Sequence, residues 1–417
     1  MSPILLQFPD WETWQWLKWV LALCFFFAFG ACAGSFLNVV IFRLPRDMSV
    51  VNPPSRCPRC AWRLRWHQNL PVVSWCLLRG RCAACRTGIS PQYPMIEVFG
   101  GLLLAGLAAL LYLVPPGGFW SAVGGEWWLG QGFSGSWPAF ICWAFALLGL
   151  LAMLIIDART FLIPIQIPTC ITLVCFVFWG VQGLLPEVPL LTGFLPIPSF
   201  GWSGTLAAFA GLGGVLLGVA LLRSGLLRYS FSDYEDFLEE GAVLADYPHA
   251  RREMGLEVLF LIPCMCGLAL GWFLGSGLEG RPGPFLAVLG GSIGGWLIAG
   301  AVVWVVRILG TLAFGREAMG MGDVHLMAAM GAAFGWIDPV VAFFIAPFLG
   351  LAWVLAGLTG GRVLKGLGQE LPYGPHLAVA LFLVVFLKPV VIEAGQWILP
   401  GIQSASTLRL AEIAPTE

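Results

Sequence analysis

Phe140-Ile141-Cys142-Trp143-Ala144-Phe145-Ala146-Leu147-Leu148-Gly149-Leu150-Leu151-Ala152-Met153-Leu154-Ile155-Ile156-Asp157 is a run of seventeen apolar residues closed by a carboxylate. A helix needs roughly 20 such residues to cross the hydrocarbon core of a bilayer. Runs of this kind recur along most of the chain, which reads as an all-α, polytopic membrane protein. Composition agrees. Hydrophobic residues make up 59% and charged ones 11%, against roughly 45–50% and 25% in soluble proteins. The formal net charge is −1, which points to no nucleic-acid partner; the partner that composition implies is the lipid bilayer.

Working outward from that run, the expected spans are residues 16–42, 97–114, 140–156, 167–185, 204–222, 258–275, 284–309, a short one at 324–336, 340–358 and 377–392. Trp14, Trp16 and Trp19 form an aromatic belt at the start of the first, which reads as a retained span and not as a cleaved signal. About 8–10 transmembrane helices follow. The expected organisation is 1–42, an N-terminal region and first span; 43–94, a small polar domain; 95–222, spans carrying Asp157; 223–256, an acidic insertion; 257–396, further spans; and 397–417, a tail.

Arginines orient the chain. Arg43, Arg46, Arg56, Arg59, Arg63, Arg65, Arg79, Arg81 and Arg86 are nine of the 22 basic residues and lie in one block. By the positive-inside rule that block is cytoplasmic. Residues 115–137 and 186–203 carry no Lys or Arg and read as external. Arg159, Arg223, Arg228, Arg251, Arg252, Arg307, Arg316, Arg362 and Lys365 fall on the cytoplasmic side. Lys18, Arg281, Lys388 and Arg409 run against the pattern as isolated charges.

Ionisable groups at the edge of a span mark function. Asp157 is one. It precedes Pro164, which places it at a span's end before a turn; the plain alternative is a boundary aspartate paired with Arg159. The second is in Gly320-Met321-Gly322-Asp323-Val324-His325-Leu326. Two glycines allow a close backbone approach, and Asp323 stands where a helix takes its N-cap. The plain alternative there is only a capped helix start. Both aspartates fall on the cytoplasmic side. Two carboxylates at one depth permit a shared-proton dyad, in which the ionised one activates water and the protonated one polarises a scissile carbonyl.

Cys57-Pro58-Arg59-Cys60 and Cys82-Ala83-Ala84-Cys85 are two Cys-x-x-Cys knuckles. Their separation suits a tetrahedral four-thiolate Zn2+ site of structural type. Disulfides are the alternative, and a cytoplasmic location argues against them. His67 lies between the knuckles as a loop residue able to substitute as ligand. The other eight of the 12 Cys are small hydrophobes in or near apolar segments.

Read together, these residues resemble the type IV prepilin peptidase family. The resemblance is carried by Gly34 to Pro45, the Cys tetrad with Asn69-Leu70-Pro71-Val72-Val73-Ser74-Trp75 and Tyr93-Pro94-Met95-Ile96-Glu97, Asp157 to Pro164, Gly320 to Leu326, and Leu371-Pro372-Tyr373-Gly374-Pro375. It covers roughly half the chain. It implies a membrane-embedded aspartyl endopeptidase with Asp157 and Asp323 as catalytic residues and Gly320 and Gly322 as motif support. Cys57, Cys60, Cys82 and Cys85 would be the zinc ligands. Its substrates would be prepilins and pseudopilins, cut after a glycine at the cytoplasmic face of the bacterial inner membrane. N-methylation of the new terminus with S-adenosylmethionine goes with the family. The chain has no glycine-rich nucleotide-binding fold, so a cofactor pocket would come from the membrane core and the zinc loop. Three features depart from the family pattern. The aspartates are 166 positions apart in sequence, His325 replaces a usual Lys, and the motif loosens after Pro164. A transporter or a non-catalytic pilus assembly scaffold with a zinc-bound loop is the alternative class. A transporter would place its charges near the midplane and show internal repeats.

Overall fold

Strand-forming alternation is absent from the apolar runs, and the backbone follows. The computed structural model describes residues 11–115, 118–185, 200–233, 247–359 and 373–398. Among these the secondary structure is helical, apart from two isolated β-bridges, Arg56↔Arg63 and Arg81↔Gly88. Eight described helices are long and apolar enough to cross a membrane, or nine if one bent pair is a single span. Large apolar side chains such as Phe25, Phe29, Phe273 and Phe348 point outward, as lipid-facing side chains do. The chain divides into two units, Met1–Gly132 and Phe133–Glu417.

In the first unit α1 (Trp11–Arg43) packs against α3 (Gln92–Tyr112). The contact is glycine-lined: a Cβ on Gly34 would stand 2.8 Å from the Cα of Glu97, and one on Gly100 3.3 Å from the Cα of Gly34. Small residues let membrane helices approach this closely. Between them lies the polar lobe, with the short helix α2 (Val73–Leu77). Glu97 ties it down by accepting from the Val72 N–H at 2.7 Å. Asn38 donates to the Tyr93 carbonyl at 3.1 Å, and Trp75 Nε1 to the Ile89 carbonyl at 3.2 Å. Helix α4 (Gly125–Thr160) starts in this unit and kinks at Gly132, whose φ of 59° is open to glycine.

The second unit holds the rest of α4 and α5 (Gln166–Leu184), α6 (Trp202–Arg223), α7 (Ala250–Ser276), α8 (Pro284–Phe314), α9 (Met321–Phe334), α10 (Ile337–Thr359), α11 (Tyr373–Phe386) and α12 (Lys388–Ile398). α9 packs against α8, α5, α10 and α11. Its residues from Val324 to Phe334 are buried apart from the half-buried His325, as expected of a helix that is apolar on all sides.

Four expectations change. The run at 324–336 is no span: α9 has 14 residues, about 21 Å at 1.5 Å per residue, against a hydrocarbon core of about 30 Å. The run at 377–392 is no single straight helix: α11 and α12 meet at 94°. Lys388, at that break, is not a stray loop charge. It is buried and paired with Asp338 at 3.1 Å, with its ammonium 5.6 Å from the Trp143 ring. Arg307 is likewise no loop charge, being buried inside α8 and paired with Glu257 at 3.0 Å. A charge paired inside the fold carries no topology signal.

Of the acidic insertion, Glu235, Asp236, Glu239, Glu240 and Asp246 lie outside the described residues, as do residues 186–199, 399–417, Leu371 and Pro372. The flanks of the insertion are tied together. Asp233 accepts from the Tyr247 hydroxyl at 2.7 Å and pairs with Arg228 at 2.6 Å, and the two hold its carboxyl below the usual carboxylate range. Phe231 N–H donates to Glu253 at 2.8 Å.

Candidate active site

Asp157 lies in the last turn of α4. The helix runs on to Thr160, where Phe161, at a φ of 55°, breaks it and donates its N–H back to the Asp157 carbonyl at 2.9 Å. The aspartate is therefore within the helix, one turn before its end. The Asp157 side chain is buried while Arg159 is exposed, and no ion pair joins them among the described residues.

Asp323 is also not the helix cap expected from sequence. Gly320 is the N-cap of α9, and Asp323 is its third residue. The Asp323 N–H donates back to the Gly320 carbonyl at 3.2 Å, and the Asp323 Oδ2 lies 3.7 Å from where a Cβ on Gly320 would stand. Gly320 itself has no side chain to cap with. Gly322 serves differently. A Cβ there would stand 3.0 Å from Cβ of Ile163, so its bareness lets the segment after Asp157 lie against the segment that presents Asp323.

The two carboxylates meet at Gly374, the second residue of α11. A Cβ on Gly374 would collide with the Asp157 carboxylate, whose carbon is 3.0 Å from that point; Asp323 Oδ1 is 3.2 Å from the same point. The carboxylate carbon of Asp157 and Oδ1 of Asp323 are thus no more than 6.2 Å apart, the sum of those two distances. The pair interacts electrostatically, and Arg307 attracts Asp323. The first turn of α11, at the positive end of its dipole, favours negative charge nearby. A pair so placed can hold one proton between two acids and act on one substrate atom from two sides. Tyr373, the neighbour of Gly374, donates its hydroxyl to the Phe343 carbonyl at 2.7 Å, fixing α11 to α10.

A buried ion network outside both aspartate motifs is centred on the helix that leads to Asp323. Arg307 is held by Glu257 from α7, with 3.0 and 3.1 Å contacts, and it also donates to Glu317 and to the Met319 carbonyl. The available signal was an arginine inside an apolar run, which is costly unless paired.

In the first unit the four knuckle sulfurs converge. Each knuckle is a tight loop closed by backbone bonds: Cys57 N–H to Trp62 carbonyl at 2.9 Å and Cys82 N–H to Thr87 carbonyl at 2.8 Å. The residue after each second cysteine, Ala61 and Arg86, takes a left-handed φ of 57° and 58°. All four Sγ lie within 4.8 Å of one another, with Cys57–Cys85 at 3.8 Å and Cys60–Cys82 at 4.0 Å. Four sulfurs at about 2.3 Å from a tetrahedral ion would be about 3.8 Å apart. The N–H groups of Cys85 and Ala84 bring the Cys82 thiol down to about 6, and those of Cys60 and Arg59 lower Cys57. Cys60 goes up to about 11 despite the Trp62 N–H, because desolvation and the neighbouring thiols oppose a further negative charge. Full ionisation of the set calls for a cation at its centre, and the donor set fits Zn2+. His67 is exposed and not part of it. The described cysteines form no disulfide.

Residues 28–111 match the family described as Bacterial Peptidase A24 N-terminal domain. Relatives named prepilin leader peptidase/N-methyltransferase also match, some of them over most of the chain. One from Neisseria gonorrhoeae is 30% identical over 305 residues, covering 66% of this chain and 90% of the relative. One from Dickeya chrysanthemi is 27% identical over 387 residues, covering 87% and 90%. One from Myxococcus xanthus is 54% identical over 79 residues, covering 19% and 24%. No solved structure matches the chain. With nine-tenths of the Neisseria relative matched, this chain belongs to the prepilin leader peptidase/N-methyltransferase family.

Proposed function

We propose that the chain is a membrane-embedded aspartyl endopeptidase that removes the leader peptide from prepilins and pseudopilins. The observation that carries this reading is the convergence of Asp157 and Asp323 on Gly374. The names of the relatives supply the substrate class. In the proposed reaction one carboxylate is ionised and takes a proton from water while that water attacks the scissile carbonyl. The other, protonated, donates to the carbonyl oxygen. The tetrahedral intermediate collapses, the amide nitrogen leaves with a proton, and the leader departs as a free carboxylate. No covalent enzyme intermediate is needed. Burial of both side chains keeps bulk water from competing with the one positioned molecule.

The cytoplasmic face of the bacterial inner membrane is the proposed site of cleavage. Support comes from the nine arginines between Arg43 and Arg86 and the absence of basic residues at 115–137 and 186–203. Cys57, Cys60, Cys82 and Cys85 would hold Zn2+ as a structural ion, all four positions being filled by protein. S-adenosylmethionine would supply the methyl group for the new N-terminal amine, as the relatives' names imply.

Three outcomes test this. Asp157→Asn and Asp323→Asn each lower prepilin cleavage at least about 10³-fold, because each carboxylate has its own role. Product mass from purified protein in liposomes reads it, and equal cutting by parent and variants would remove the dyad. Gly374→Ala also removes cleavage, since a methyl group there meets both carboxylates, while the thermal unfolding of the variant stays near that of the parent; an active Gly374→Ala enzyme would contradict the placement. Elemental analysis finds about one zinc per chain, and Cys82→Ser or a strong chelator removes it and exposes residues 43–94 to trypsin. Zinc content unchanged by Cys82→Ser would assign the metal elsewhere.

A further inference from the structure

We propose that Arg307 is a positioning residue: clamped between Glu257 and Glu317, it fixes the backbone that presents Asp323. The inference rests on the aspartyl peptidase reading and adds to it a residue outside both aspartate motifs. Only six residues, 315–320, join α8 to α9. Three consecutive ones are tied back to α8. Glu317 pairs with Arg307, Ala318 N–H donates to Thr311 Oγ1 at 3.1 Å, and the Met319 carbonyl accepts from Arg307. The next residue is Gly320, the N-cap of the helix that carries Asp323, and its carbonyl accepts the Asp323 N–H at 3.2 Å. Arg307 thus acts on Asp323 through one short stretch of backbone.

The clamp is itself held. Glu257 takes Arg307 through both of its oxygens at 3.0 to 3.2 Å and also accepts from Trp304 Nε1 at 2.7 Å. The Phe231 ring lies 5.5 Å from the guanidinium. Arg307 and Glu257 are each 2% exposed at the side chain, so the arrangement has little freedom. A planar guanidinium spreads five donors over Glu257, Glu317 and a carbonyl at once, whereas an ammonium has three donors at a single point. The same cation attracts Asp323, so its removal alters both the position and the field of that carboxylate.

Removing Arg307 alone leaves Glu257, 2% exposed, buried without its cation and threatens the fold, whereas Glu317, 14% exposed, can turn to solvent. The test therefore compares Arg307→Met, Arg307→Lys and the double variant Arg307→Met/Glu257→Gln with the parent, in prepilin cleavage with kcat and KM read separately and thermal unfolding measured on each. Misplacement of a catalytic group by about 1 Å costs roughly a hundredfold. The double variant is expected to recover the unfolding temperature, to lose about a hundredfold in kcat and to keep its KM within about threefold. Arg307→Lys is expected to regain part of that kcat, since it keeps the charge and some donors. If the double variant recovers kcat together with its unfolding temperature, Arg307 is structural only and the proposal is overturned. Asp157→Asn and Asp323→Asn run alongside. If they cut like the parent, the peptidase reading falls and this inference with it; if they are inactive and the double variant is fully active, only the clamp falls.

Discussion

Two carboxylates share a small volume beside a glycine, and the second unit is arranged around that crowding. A charge in an apolar fold persists only where something specific holds it. Asp157 is placed by the last turn of a 36-residue helix. Asp323 is placed by the first turn of a helix too short to cross the bilayer, buried among α5, α8, α10 and α11. Between them Gly374 contributes no side chain, and that is what leaves room for both. Gly322 performs the same service for Ile163, so the backbones that carry the two aspartates can lie close.

The second unit and the polar lobe of the first are stabilised by different means. The second unit is a helix assembly in which bare glycines set the approach; a Cβ on Gly331 would stand 2.7 Å from the Cβ of Ala299. In lipid, water no longer drives helices together, so close contact and buried polar pairs do this work. Asp338–Lys388 and Glu257–Arg307 are such pairs. The polar lobe of the first unit has little apolar mass to bury, and two backbone-closed knuckles bring four sulfurs within reach of one ion instead. Glu97 then fastens that lobe to α3, and Asn38 fastens α1 to the first turn of α3.

Much of this was legible from sequence because its signals are local. Apolar run length gave the helices, and the spacing of Cys57, Cys60, Cys82 and Cys85 gave a cluster that the fold brings together. Asp157 and Asp323 stood out as charges at the ends of apolar runs. What escaped was set by tertiary contact. The run at 324–336 is as apolar as a span but too short to be one, and its burial on all sides comes from its neighbours. Lys388 and Arg307 read as loop charges until Asp338 and Glu257, 50 positions from each, are seen beside them. The helix cap expected at Asp323 lies three residues earlier, at Gly320, because glycine can also serve as an N-cap. Gly374 could be quoted as a motif residue, but the collision that explains it exists only once three helices are in place.

The pH dependence of kcat/KM for leader removal tests the shared-proton pair most directly. One ionised and one protonated carboxylate acting on the same bond give a bell-shaped profile whose two limbs belong to the pair. The account predicts that bell, with rate lost when the pair carries two protons and again when it carries none. A profile that rises to a plateau through a single ionisation and stays there would contradict it.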